Sequence, residues 1–177
     1  MTQIRPILYT IIFTGLIIVG AQVTVSLGPV PFVLSDFFVL LSGLILGKRY
    51  APIAVGAYLV LGAVGLPVFA GGSGGINHLI GPTGGYLFGY LLAAYLVGTI
   101  SHNGQRTILK DLLAVLAGYL TIYACGVFWL KFHRDLPWED AIWKGALDFR
   151  IPMVIKSTSA VLLAWVFRKL TAGQGKA

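Results

Sequence analysis

Few side chains in this sequence could do chemistry, and Lys156 is the hardest to explain as scaffolding. It sits five residues into an apolar stretch, 151–170, behind Pro152 and beside Ser157, Thr158 and Ser159. An ammonium within a membrane segment is costly and normally faces the bundle interior or a water-filled cavity. Near the outer end of a span it can instead snorkel to the interface. Facing inward, it would neutralise an anionic ligand such as a carboxylate. Asp36 is the second candidate. It opens a short helix, where it serves either as a cap or first-turn acid favoured by the helix dipole, or as part of a pocket; Ser35 could cap equally well.

Catalysis would need paired carboxylates, a nucleophile with its base, or metal ligands. Only the Lys156/Ser159 pair and a lone Asp36 exist, with no G-x-S-x-G or H-E-x-x-H motif, so the chain is not expected to be an enzyme. A single cysteine, Cys125, excludes an intramolecular disulfide and a cysteine zinc site. His78, His102 and His133 are too scattered for a metal cluster, and His102 and His133 read as solvated loop residues. No metal and no resident cofactor is expected. Without a G-x-x-x-x-G-K-[ST] loop, any ATP would be used only by partner chains.

The elements that must hold these residues are set by composition. Of 177 residues, 57% are hydrophobic and only 11% charged, against about 25% charged in soluble domains. With a mean hydropathy of +0.86, the bilayer is the expected solvent. Crossing about 30 Å of hydrocarbon takes roughly 20 apolar residues. Residues 7–25, 50–68, 84–100, 112–130 and 151–170 meet or approach that length. Residues 37–47 form a shorter helix whose outer end is broken by Gly28, Pro29 and Pro31. The expectation is an all-α membrane protein of six transmembrane helices, one domain over 1–170, and a short cytoplasmic tail at 171–177. The first span is read as retained rather than as a cleaved leader.

Charge orients the bundle. With both termini cytoplasmic, the inner side receives Arg5, Lys48, Arg49, Arg106, Lys110, Arg168, Lys169 and Lys176 against Asp111 alone, while the other five bases face five acids outside. The positive-inside rule favours this arrangement. The net charge of +7 is thus a clue to orientation, and no nucleic-acid partner is expected. No span carries the polar stripe of a water-filled pore.

The outer loops hold the unusual residues. Residues 65–85, GLPVFAGGSGGINHLIGPTGG, are rich in glycine yet apolar. Irregular backbone at membrane depth is tolerated only when buried in protein or lining a cavity, so this segment is expected to wall or roof a pocket rather than to serve as a flexible connector. PWEDAIWKGAL, from Pro137, reads as a short amphipathic interfacial helix. Small-residue pairs at Ala94/Gly98, Ala114/Gly118 and Ala160/Ala164 would let helices approach closely.

PVPFVLSDFFVLLSGLILG at 29–47, GLPVFAGGSGG at 65–75 and GPTGGYLFGY at 81–90, in this order and spacing, resemble the BioY family, the biotin-binding S components of energy-coupling-factor (ECF) vitamin transporters. The resemblance resumes around Lys156. It implies an S-component fold in a bacterial or archaeal cell membrane, with a pocket opening outward that captures biotin. It also implies a membrane T component and two ATPase subunits as partners, although some members are thought to act without them. Oligomeric state stays open, a homo-oligomer included.

Within the resemblance, Lys156 is the partner of the biotin carboxylate, and the glycine loop with Asn77 and Tyr86 closes on the ring system. The candidate binding set is Lys156, Asn77, Tyr86, Ser35, Asp36, Gly74, Gly75, Thr83 and Met153. The chain departs from the family pattern at Val33 and Ser35, where threonine and glutamine are usual, and at Met153, where an aspartate is usual. Asp36 or Asn77 could restore the lost polarity, or the ligand could be another small carboxylate such as lipoate or dethiobiotin. On the first helix, Thr10 and Thr14 stand where an Ala-xxx-Ala pair would dock the T component.

Overall fold

The computed structural model describes residues 4–25 and 30–173. Gly28, Pro29, Lys176 and the end of the expected tail lie outside the described residues. Helix α1 (Ile4–Gln22) leads through a two-residue strand β1 (Thr24–Val25) to β2 (Phe32–Val33) and α2 (Ser35–Ala63). A 3-10 turn at Ala70–Gly72 and a single helical turn α3 (Ile76–Leu79) precede α4 (Gly84–His102) and α5 (Ile108–Arg134). The chain ends with α6 (Trp138–Gly145), a 3-10 turn at Leu147–Phe149 and α7 (Arg150–Gly173), which continues past the expected start of the tail at Thr171. The antiparallel ribbon pairs Thr24 with Val33 and Val25 with Phe32. Strands this short carry no alternation for sequence reading to detect.

Five stretches are long and apolar enough to cross a membrane, and α2 counts as one of them by length. Yet α2 is two helices in series. Gly47 is non-helical inside it, at φ 74° and ψ −179°. A continuous helix would put Asp36 and Tyr58 about 33 Å apart, whereas both line one cavity. The chain therefore reverses at Gly47, into arms 35–46 and 48–63. The positive φ is one that only glycine adopts without strain. The ring of His102 lies against this glycine, where an added Cβ would meet it at 3.1 Å. His102 is thus half-buried with its Nδ1 enclosed, not the solvated loop residue expected, because a side-chain-free turn leaves a recess that the imidazole covers. His133 is exposed as expected.

The arms of α2 pack against α4, which packs in turn on α5, while α1 and α7 lie at the sides. Small residues set these distances. Gly43 faces Val97, Gly98 faces the backbone of Lys48, and Gly118 faces Leu40 and Val97; a Cβ at any of the three would overlap its neighbour. The pairs Ala94/Gly98, Ala114/Gly118 and Ala160/Ala164 are all buried. On α1 the buried residues Thr10, Phe13, Thr14, Ile17 and Ala21 recur every three or four positions, while Ile7, Leu8, Ile11 and Ile12 on the other faces are exposed, as a lipid-facing surface requires. Thr10 and Thr14 belong to the inward face, and the Thr14 hydroxyl reaches the Ala54 carbonyl of α2 at 3.1 Å. They serve packing inside the chain rather than presenting a docking face.

Helix α5 is capped by Thr107, whose hydroxyl accepts from the Lys110 N–H at 3.2 Å, and it ends at Asp135 in the left-handed conformation. Helix α6 starts after Pro137, buries Ala141 and Gly145, and exposes Trp138, Ile142 and Trp143, the amphipathic pattern anticipated from sequence.

Candidate functional site

Lys156 and Asp36 meet although 120 residues separate them. On α7 the inward positions Lys156, Ser157, Ala160, Val161 and Ala164 are buried, whereas Val154, Ile155, Leu162 and Leu163 are exposed. Lys156 thus occupies the face that must turn inward, and only 7% of its surface remains exposed. Asp36 arrives from the first turn of α2, its carboxylate held by the N–H of Phe37 at 2.8 Å. The Lys156 ammonium donates to Asp36 Oδ1 at 2.8 Å and Oδ2 at 2.9 Å, and to the carbonyl of Val33 at 2.7 Å. It also lies 4.1 Å from the centre of the Phe32 ring, within cation–π range. Of the two placements the sequence left open for this lysine, the structure shows the inward one.

The pair borders a cavity of about 600 Å³, mouth included, at the end of the bundle opposite the Gly47 turn. Its walls are mainly apolar and aromatic. Phe32, Phe149 and Tyr123 succeed one another as roughly parallel rings, with centroids 6.4 Å and 6.3 Å apart. Tyr90 shares a 3.1 Å hydrogen bond with Ser35, and Tyr86 donates to the carbonyl of Gly145 at 2.8 Å, which ties α4 to the end of α6.

The glycine-rich segment forms one wall, as its composition implied. Phe69 is fully buried and seats its ring on Gly62, where a Cβ would overlap it. The N–H of Gly75 donates to the Gly62 carbonyl at 2.7 Å, which fastens the far side of the segment to the same place. His78 stacks on Phe69 at 5.0 Å and hydrogen-bonds Ser73 at 3.1 Å. Burial holds its imidazole below the ordinary value of 6.5, so the neutral form is favoured.

Five of the nine expected residues come together at this cavity: Lys156, Asp36, Ser35, Tyr86 and Thr83. Four do not. Asn77 points from α3 into solvent, Gly74 is exposed, Gly75 fastens the segment through its backbone, and Met153 packs one turn before Lys156 without reaching the cavity. Sequence reasoning missed Tyr58, Tyr90, Tyr123, Phe149 and His78, all of which line it. An aromatic in an apolar span looks like any other lipid or core contact. For Phe149 a signal existed in its place just before the last span, and for His78 in its place within the glycine segment. Among the described residues no group of His, Cys, Asp and Glu could hold a metal ion.

Comparison with known proteins then places the chain. The sequence model of the BioY family matches residues 1–173. The biotin transporter BioY of Thermotoga maritima is 45% identical over 94% of this chain and 97% of its own length. The probable biotin transporter BioY of Pyrococcus horikoshii is 42% identical, over 86% of this chain and 90% of its own. A crystal structure of the S-component for biotin from an ECF-type ABC transporter superimposes with a TM-score of 0.87 at 29% identity, covering 95% of this chain and 93% of that one.

Proposed function

The chain belongs to the BioY family, and on that premise we propose that it is the substrate-capture subunit of a biotin uptake transporter. Its relatives are multi-pass membrane transporters rather than enzymes, and this chain is likewise a transport protein. In the proposed reading biotin enters the aromatic cavity beneath the 65–85 segment, with its carboxylate toward Lys156. The observation that carries the reading is Lys156, only 7% exposed, facing an apolar, aromatic-walled cavity. A fatty acid tail with one carboxylate needs an apolar slot and one cation, and this cavity offers both.

The reversal at Gly47 supports six crossings: α1, the two arms of α2, α4, α5 and α7. Lys48 and Arg49 beside the reversal, and Arg106, Lys110, Arg168 and Lys169 at the same end, would place that end and both termini in the cytoplasm. The cavity then opens outward. ATP would be used by two ATPase subunits working with a membrane T component, consistent with the ECF-type transporter to which the structural relative belongs. Thr10 and Thr14 are spent on internal packing, so the docking face for such a partner would lie elsewhere.

Three measurements test this. Mass spectrometry of the denatured purified protein should find biotin as the co-purifying molecule, and competition with dethiobiotin and lipoate should leave biotin the tightest binder. Lys156→Ala should weaken biotin binding by roughly 100-fold, the scale set by losing one member of a buried charged pair, while the protein still folds. Unchanged affinity would remove Lys156 from the site.

A further inference from the structure

The Lys156 ammonium has three N–H donors, and all three are already engaged: two on Asp36 and one on the Val33 carbonyl. The pair is neutral before any guest arrives. The other titratable groups facing it are uncharged near neutral pH. They are Tyr58 from α2, Tyr86 and Tyr90 from α4, Tyr119 and Tyr123 from α5, and His78 from α3. Asp148 and Arg150 flank Phe149 but are exposed and do not line the cavity. No second cation lines it among the described residues.

A carboxylate guest would therefore put two anions on one ammonium inside an apolar enclosure, a net charge of −1. Two carboxylates sharing a site do not both stay ionised; one takes a proton and donates it to the other. We propose that a carboxylate guest binds here together with one proton, drawn from the outside water and shared between the Asp36 carboxylate and the guest's own. No bond in the guest is broken, and the loaded cavity returns to zero charge. The inference rests on the reading that the guest's acid lies at Lys156.

Calorimetric titration of the purified full chain with biotin, in buffers of different ionisation enthalpy at pH 7.5, reads the proton directly. About one proton should be taken up per biotin, and the dissociation constant should rise about tenfold per pH unit between roughly pH 6.5 and 8.5. Biotin methyl ester, which cannot ionise, should bind without uptake and without that slope. Asp36→Asn should abolish the uptake, since the ammonium is then free to take the anion alone. Biotin binding with no proton exchange, or uptake that persists unchanged in Asp36→Asn, overturns the inference while leaving capture of biotin intact. Failure of biotin to bind the unaltered chain defeats the capture reading itself, and the inference with it.

Discussion

Helix α7 carries two buried ion pairs, one toward each end, and they differ in what lies beside them. At the cavity end Lys156 meets Asp36. About 18 Å along the helix, Arg168 meets Asp111 of α5, whose other oxygen accepts from Ser101 of α4 at 2.6 Å. Asp111 is fully buried, and its surroundings are helix packed on helix. Asp36 has the aromatic-walled cavity next to it. Chemically the pairs are alike. The Arg168 pair fastens α4, α5 and α7 together; the Lys156 pair faces a space that a guest could fill. Free volume beside a charge, rather than the charge itself, separates a binding site from a rivet.

The comparison is most easily broken at Asp111. Replacing it with asparagine leaves Arg168 partly buried without its counter-charge, and should cost about 3–5 kcal/mol, read as a large fall in the unfolding midpoint in detergent. Lys156→Ala should cost less, roughly 1–2 kcal/mol, because the stranded Asp36 can take a proton and be hydrated from the cavity. Equal losses at the two ends would erase the distinction. Gly62→Ala pushes a methyl group into the Phe69 ring and should destabilise by about 1–2 kcal/mol, with the loss concentrated in faster proteolysis of the 65–85 segment. The smallest effect is a pH response of that segment in the ligand-free protein. His78 is held below its ordinary value, so folding favours the neutral ring. Its contribution is complete above pH 6.5 and is lost as the pH falls toward its lowered value. Amide protection across 65–85, corrected for the intrinsic pH dependence of exchange, should fall between pH 7 and pH 5, and His78→Gln should flatten that response.

Much of this was legible in the sequence for reasons that differ by residue. Lys156 drew attention because hydrocarbon does not tolerate an ammonium, which leaves it either turned inward or snorkelling to the interface. The reversal at Gly47 was announced by Lys48 and Arg49 after an apolar run too short to cross alone. The 65–85 segment showed its role through glycine content joined to apolar character. Asp36 was singled out, but its partnership with Lys156 was invisible: contact between residues 120 apart depends on how helices stack, which no local pattern records. The tyrosines at 58, 90 and 123 were missed because a phenol in a span looks alike whether it faces lipid, core or cavity. His102 was misread because polarity suggested water, whereas an unfilled recess over Gly47 decided its place.

The bond from Lys156 to the Val33 carbonyl has a consequence for biogenesis. The ribosome delivers Asp36 and the β2 turn early, and their cation arrives only with the final helix. Until α7 inserts, that acid has no counter-charge from Lys156 and the turn has no anchor there. Completion of the cavity wall is thus the closing step of synthesis, and a chain cut short before α7 would leave Asp36 and the β2 turn unfastened.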